Sequence, residues 1–206
     1  MKKTQPERGR PRAFDRDVAL RRAMEVFWAQ GYEGASVGDL TAAMGIERPS
    51  LYGAFGCKEA LFREAVELYG REESGATGRA LAREPTARAA VAAMLRDNAA
   101  VYVEPGKPPG CLVVLAALVG TPESAPVRQA LAERRARVRA AIAARVRQGM
   151  AEGDVSRDAD PDAIAAFYGT VLHGLSLQAR DGMAKEDLLA ICEAAMAAWD
   201  PLAAPS

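Results

Sequence analysis

The sequence predicts an all-α protein in two parts, a small three-helix N-terminal unit and a larger helical body. Three observations carry that expectation. Alanine is very frequent while β-branched and aromatic clusters are rare, a composition that favours helices over strands. Apolar residues recur at three- and four-residue spacing along most of the chain. Glycine and proline fall between the periodic stretches, where helices stop and start. Half of the 206 residues are apolar, enough for a packed core.

Residues 1–13 are polar, with Pro6, Gly9 and Pro11, and read as a flexible arm. A first helix follows, with Asp15 as N-cap and Leu20, Ala23, Met24 and Phe27 on one face, ending at Gly31. Ser36 caps a second, short helix with Val37, Leu40, Ala43 and Met44 as its apolar stripe, and Gly45 breaks it. Ile46 and Glu47 form a tight link. Pro49 suits the first turn of a third helix, because its missing N–H would have no partner there. Leu51 and Phe55 face inward one turn apart, and Gly56 is the stop. A fourth helix starts near Lys58, with Leu61, Ala65, Leu68 and Tyr69 on its inner side, and is expected to run to about Arg79 as the joint to the body. The boundaries expected are an arm at 1–13, a head at 14–60 and a body at 61–206.

In the body, Glu84-Pro85-Thr86 opens a helix to about Val103, and residues 105–110 form a Pro/Gly loop. Cys111 to Val119 reads as a short apolar helix, broken at Thr121-Pro122. A long Arg-rich helix then carries Val127, Leu131, Val138, Ile142 and Val146 on one face, up to a loop from Gly149 to Ala159. Asp160-Pro161 caps the next helix, and Gly182 separates it from a last one.

Composition also narrows the function. The formal net charge is +0, but Met1 to Lys58 holds 10 Lys/Arg against 7 Asp/Glu, and the remainder 17 against 20. A basic head on an acidic body fits a head that meets a polyanion. The three cysteines, Cys57, Cys111 and Cys192, lie far apart with no CxxC pair, so neither a metal site nor a cofactor is expected. Their odd number, without a signal peptide, fits a reducing, cytoplasmic setting. The longest strongly apolar run is too short to cross a bilayer. One histidine, no phosphate-binding glycine loop and no nucleophile motif argue against an all-helical enzyme.

The informative stretch is Ser36 to Lys58, SVGDLTAAMGIERPSLYGAFGCK. Two short helices joined by a glycine turn are the helix-turn-helix arrangement, whose second helix enters the major groove of DNA. With Leu51 and Phe55 buried, the outer face of that helix presents Arg48, Ser50, Tyr52 and Gly53. Arginine can pair with guanine O6 and N7, Ser50 and Tyr52 can reach phosphates or base edges, and Gly53 leaves room for close approach. Lys58 opens the next helix, where ammonium and free amides can share a phosphate. Ser36 and Thr41 can reach the opposite phosphate run. Arg10 and Arg12, in the arm, can enter a narrow minor groove or belong to a solubilising tail.

This region resembles the TetR family of bacterial repressors through Phe27, Gly31-Tyr32, Ser36-Val37, Leu40-Thr41, Ala43, Gly45-Ile46, Ser50-Leu51-Tyr52, Phe55, Lys58 and Leu61-Phe62. The resemblance implies a homodimer on a palindromic double-stranded operator, a body that senses a small-molecule effector, Tyr52 and Lys58 on phosphates and Arg48 on a base. One departure is Cys57, where the family usually has a small or polar residue. A helix N-terminus would stabilise a thiolate there, or Cys57 simply serves as a cap.

The last two helices, with Ile164, Phe167, Val171 and Leu175 on one and Leu188, Cys192 and Trp199 on the other, are the expected dimer surface, pairing as a four-helix bundle. Gly110-Cys111-Leu112 resembles an element of one branch of the family, some members of which sense oxidants or electrophiles through that cysteine. Helix amides would lower the Cys111 pKa and burial would raise it. Tyr102, His173 and Gln178 complete the candidate effector residues, with Tyr69 and Met94 as further walls.

Overall fold

The computed structural model describes residues 14–203. The arm, with Arg10 and Arg12, lies outside the described residues. Those described form eleven α-helices and one 3₁₀ turn, and no strand.

Helix α1 (Arg16–Gly34) starts where the Asp15 carboxylate accepts from the backbone N–H groups of Asp17 and Val18. Its regular part stops at Gly31, whose φ of 75° lies outside the helical region. The turn thus released lets the Tyr32 N–H donate to the Ala116 carbonyl at 2.7 Å. Helix α2 (Val37–Met44) opens with a capping box. The Ser36 hydroxyl accepts from Asp39 N–H, and the Asp39 carboxylate accepts from Ser36 N–H. Gly45 makes the turn to α3 (Arg48–Phe55) in the left-handed conformation, with φ 68°, which costs a residue without Cβ little. Leu40, Leu51 and Phe55 are buried in the same apolar cluster as Ala23 and Phe27 of α1.

Helix α4 (Lys58–Glu72) packs along α1 and joins head to body. Phe62 stands edge-on to Phe27 with ring centroids 4.9 Å apart, and Tyr69 meets Trp28 in the same way at 4.9 Å. One apolar cluster runs without a break from Ala19 in the head to Trp199 at the far end of the body.

The body adds α5 (Gly75–Arg83), α6 (Ala87–Val101), the short α7 (Leu112–Leu115), the long α8 (Ala125–Glu152), α9 (Pro161–Arg180), α10 (Lys185–Met196) and α11 (Trp199–Ala203). Three of these differ from the sequence expectation. The joint to the body ends at Glu72, because the chain turns at Glu73 and Ser74 and restarts as α5. The apolar stretch from Cys111 gives only one turn of helix. Helix α8 runs through Gly149 to a left-handed stop at Gly153, since Gly149 packs where a Cβ would lie 2.8 Å from Ala87 Cβ.

Candidate functional site

Helix α3 presents Arg48, Pro49, Tyr52 and Gly53 to solvent, with Ser50 half-buried beside them. Tyr52 is 48% exposed, a large aromatic left uncovered by the chain's own core. A Cβ at Gly53 would meet nothing within 4 Å. The fold itself therefore does not need a glycine there, which is what close approach of an outside partner would explain.

The other head residues are less free. The Ser36 hydroxyl serves the capping box. The Thr41 hydroxyl points back to the carbonyls of Val37 and Gly38, both at 3.0 Å, so its single proton is already used. Lys58 lies with its ammonium 4.5 Å from the Tyr32 ring centroid. Burial there lowers its pKa, while Glu33 acts in the opposite direction. Cys57 is the N-cap of α4, its Sγ accepting from Ala60 N–H at 3.4 Å.

A cavity of about 240 Å³ lies in the body between α4, α6, α7, α8 and α9. Tyr102, Cys111 and His173 all line it, as does Tyr69. Gln178 and Met94 do not line it: Met94 is in the core, and Gln178 lies half-buried near the end of α9. Larger and more open clefts exist as well, among them one between α1 and the loop at Gly106 to Pro108. For Cys111 the opposing effects are resolved in favour of burial, which pushes the thiol pKa up despite helping contacts from Tyr69 and the amides of Val113 and Val114. Burial likewise raises Tyr69 and Tyr102 well above the ordinary value. His173 is lowered by burial and by the nearby Arg135 and Arg139, so its imidazole is neutral at pH 7.

Sequence reasoning missed the clasp between this region and the head. Trp28 donates its indole N–H to the Gly110 carbonyl at 3.0 Å. Arg180, on α9, donates to the carbonyls of Trp28 and Ala29 at the end of α1. The Glu33 carboxylate accepts from Thr121 N–H at 3.2 Å. These pairs are 82 to 152 positions apart in sequence, and no local pattern signals them.

The expected dimer residues divide. Ile164, Leu175, Leu188, Cys192 and Trp199 are at most 3% exposed and pack in the chain's own core. The cause is that α9 and α10 also cover α6 and α8, so their apolar inner stripes are consumed within the chain. Phe167, at 38% exposure, and the half-buried Val171 stay outside.

Among the described residues no cluster of His, Cys, Asp and Glu could hold a metal ion, and no helix is long and apolar enough to cross a membrane. A helix-turn-helix head with an uncovered second helix, on a helical body, defines a DNA-binding regulator. The comparisons with known proteins carry this further. Residues 19–65 match the family model of bacterial regulatory proteins of the tetR family, and residues 85–198 match the tetracyclin repressor-like C-terminal domain. The HTH-type transcriptional repressor ComR of Escherichia coli is 31% identical over 196 residues, 95% of this chain and 93% of that protein. A cysteine mutant of the TetR family regulator CifR, solved with 26-base-pair double-strand operator DNA, is 52% identical with a TM-score of 0.90, covering 92% of this chain and 100% of that one. A second CifR cysteine mutant with the same length of operator DNA is also 52% identical, at TM-score 0.90, over 93% and 100%. The chain belongs to the TetR family and is a transcriptional regulator, not an enzyme.

Proposed function

We propose that this protein is a homodimeric repressor, with a head at 14–60 and a body at 61–206, that leaves a palindromic operator when a small molecule enters the cavity beside Cys111. The observation that carries the reading is the uncovered outer face of α3, where Arg48, Tyr52 and Gly53 stand free. Arg48 reads a guanine, Tyr52 and Ser50 hold phosphates, and Lys58 swings from Tyr32 to a phosphate. Ser36, Thr41 and the arm residues Arg10 and Arg12 flank that contact. One short helix reads few bases, so two copies are needed for operator-level affinity.

The dimer forms through the outer face of α9 and α10. From Ala163 to Gln178, α9 has no Asp, Glu, Lys or Arg. Phe167, Thr170, Gly174 and Leu177 are exposed on it, with Ala190 and Ala194 exposed on α10 and Ala197 at its C-cap. Small residues among apolar ones let two copies approach closely around a two-fold axis.

A second reading makes Cys111 itself the sensor of an oxidant or electrophile, as in the family branch that its Gly-Cys-Leu element resembles. Its support is that Cys111 lines the cavity and a diffusing electrophile would meet it. Its raised pKa weighs against thiolate chemistry at neutral pH. Mobility-shift titration of DNA upstream of the gene tests the main reading. Binding that weakens steeply with salt, and is lost in Arg48→Ala, is expected. Equal affinity for unrelated DNA would overturn it.

A further inference from the structure

The cavity beside Cys111 holds three basic groups that no carboxylate pairs with among the described residues, Arg135, Arg137 and His173. Its apolar walls come from Val101, Val113, Val114 and Leu172 and from the rings of Tyr69 and Tyr102. Most of its polar groups are already partnered. Glu73 accepts from Lys107 at 2.7 Å. Arg134 pairs with Glu67. The Asn98 amide donates to Thr77 and to the Met94 carbonyl.

Arg135 differs. It projects from α8 between Cys111 and His173 and lines both this cavity and the neighbouring cleft between α8 and α9. That cleft carries Arg135, Arg139 and His173 and no acid. One guanidinium nitrogen, Nη1, donates to the Val113 carbonyl at 2.8 Å, and no carboxylate pairs with Arg135 among the described residues. The half-buried guanidinium has this one protein acceptor, so its other N–H groups are available to a ligand. With Nη1 anchored, the Nε and Nη2 edge remains, and that edge fits a carboxylate through two parallel hydrogen bonds.

We propose that the cavity takes a small organic carboxylate with an apolar body, the carboxylate pairing with Arg135 and the body lying against the tyrosines and valines. The inference rests on the reading of this cavity as the effector site and names the class of effector. The volume of about 240 Å³ is below the roughly 300–1,000 Å³ usual for sites of drug-sized ligands, so the ligand is smaller than those. The neutral His173 beside Arg135 can donate one further hydrogen bond to the anion.

Calorimetric titration of the full-length protein with benzoate, phenylacetate and hexanoate, each against its amide at matched ionic strength, tests this. At least one carboxylate is expected to bind more than about tenfold tighter than its amide, about 1.4 kcal/mol. Arg135→Gln is expected to abolish that preference, and Arg135→Lys to keep part of it. Amides binding as well as carboxylates, no carboxylate binding at millimolar concentration, or an intact preference in Arg135→Gln would each overturn the proposal. Operator release is read in parallel. If amides bind and release DNA as well as the acids do, the effector site stands and the anion assignment fails. If the acids bind through Arg135 without releasing DNA, the anion assignment stands and the effector reading fails.

Discussion

The indole N–H of Trp28 donates to the carbonyl of Gly110 at 3.0 Å, and this buried bond ties the head to the wall of the cavity. Trp28 sits on α1, whose far side supports α2. Gly110 precedes Cys111 and has φ 79°, and a Cβ there would lie 2.6 Å from the Ser176 carbonyl oxygen. The Cys111 N–H in turn donates to the Ser176 hydroxyl at 2.8 Å. Any ligand that displaces residues 110–111 therefore pulls on α1, and a small pivot of the head is enough to misplace a recognition helix on its half-site.

Trp28→Phe keeps a ring against Tyr69 but removes the donor. Leaving the Gly110 carbonyl unpaired is expected to cost about 1–3 kcal/mol of stability. Operator affinity without ligand should stay within about threefold, while ligand-driven release weakens, because only the coupling term has been cut. Anisotropy titrations with and without ligand check this, and unchanged coupling would remove the bond from the pathway.

Gly53→Ala is predicted to move stability and DNA binding in opposite directions. Its Cβ meets nothing in the free protein, so replacing a mid-helix glycine should stabilise the head by about 0.5–1 kcal/mol. If α3 lies close against the groove, the same methyl group should weaken operator binding. Thermal unfolding and binding isotherms on one variant give both signs.

Cys111, Tyr69 and Tyr102 make the body sensitive to alkali. Burial is the first cause of all three raised pKa values, so each group stays protonated in the fold above its ordinary value of 9.0 for the thiol and 10.0 for the phenols. The unfolded chain loses those protons first, so ionisation favours unfolding. Urea unfolding should give a stability that declines as the pH rises above about 9. A stability that rises between pH 9 and 10.5 would contradict the assignment. At neutral pH, alkylation of the native protein should reach the exposed Cys57 well before Cys111 or Cys192.

Phe167→Asp places a charge on the exposed apolar face of α9 without touching the chain's core. The variant is expected to be a folded monomer by light scattering, with operator binding reduced at least about a hundredfold because two heads no longer act together. A folded dimer with this substitution would place the interface elsewhere.

The legible parts of the fold are those with local causes. Asp15, Ser36, Thr86 and Asp160 each cap a helix with their own side chain, and each could be recognised from the residues immediately after it. The outer face of α3 was legible for the same reason, since burying Leu51 and Phe55 leaves Arg48, Tyr52 and Gly53 outside. Periodicity gave the apolar faces of α9 and α10 but not their neighbours. Leu188 and Cys192 face inward, and only the packed chain distinguishes that from a partner's surface. Tyr102, Cys111 and His173 meet in one cavity although they are 9 to 71 positions apart in sequence. Arg135 stood among several arginines on one helix, and what distinguishes it is that it lines both the cavity and the neighbouring cleft with one nitrogen held by the Val113 carbonyl.

The central claim is that two copies of α3 read a two-fold symmetric DNA site. Selection of bound sequences from random double-stranded DNA by the full-length protein tests it most directly. The account predicts one enriched inverted repeat with half-site centres about one helical turn, or a multiple of it, apart, lost when Arg48 is replaced by alanine. No enrichment over the starting pool, or enrichment unchanged by that substitution, would contradict it.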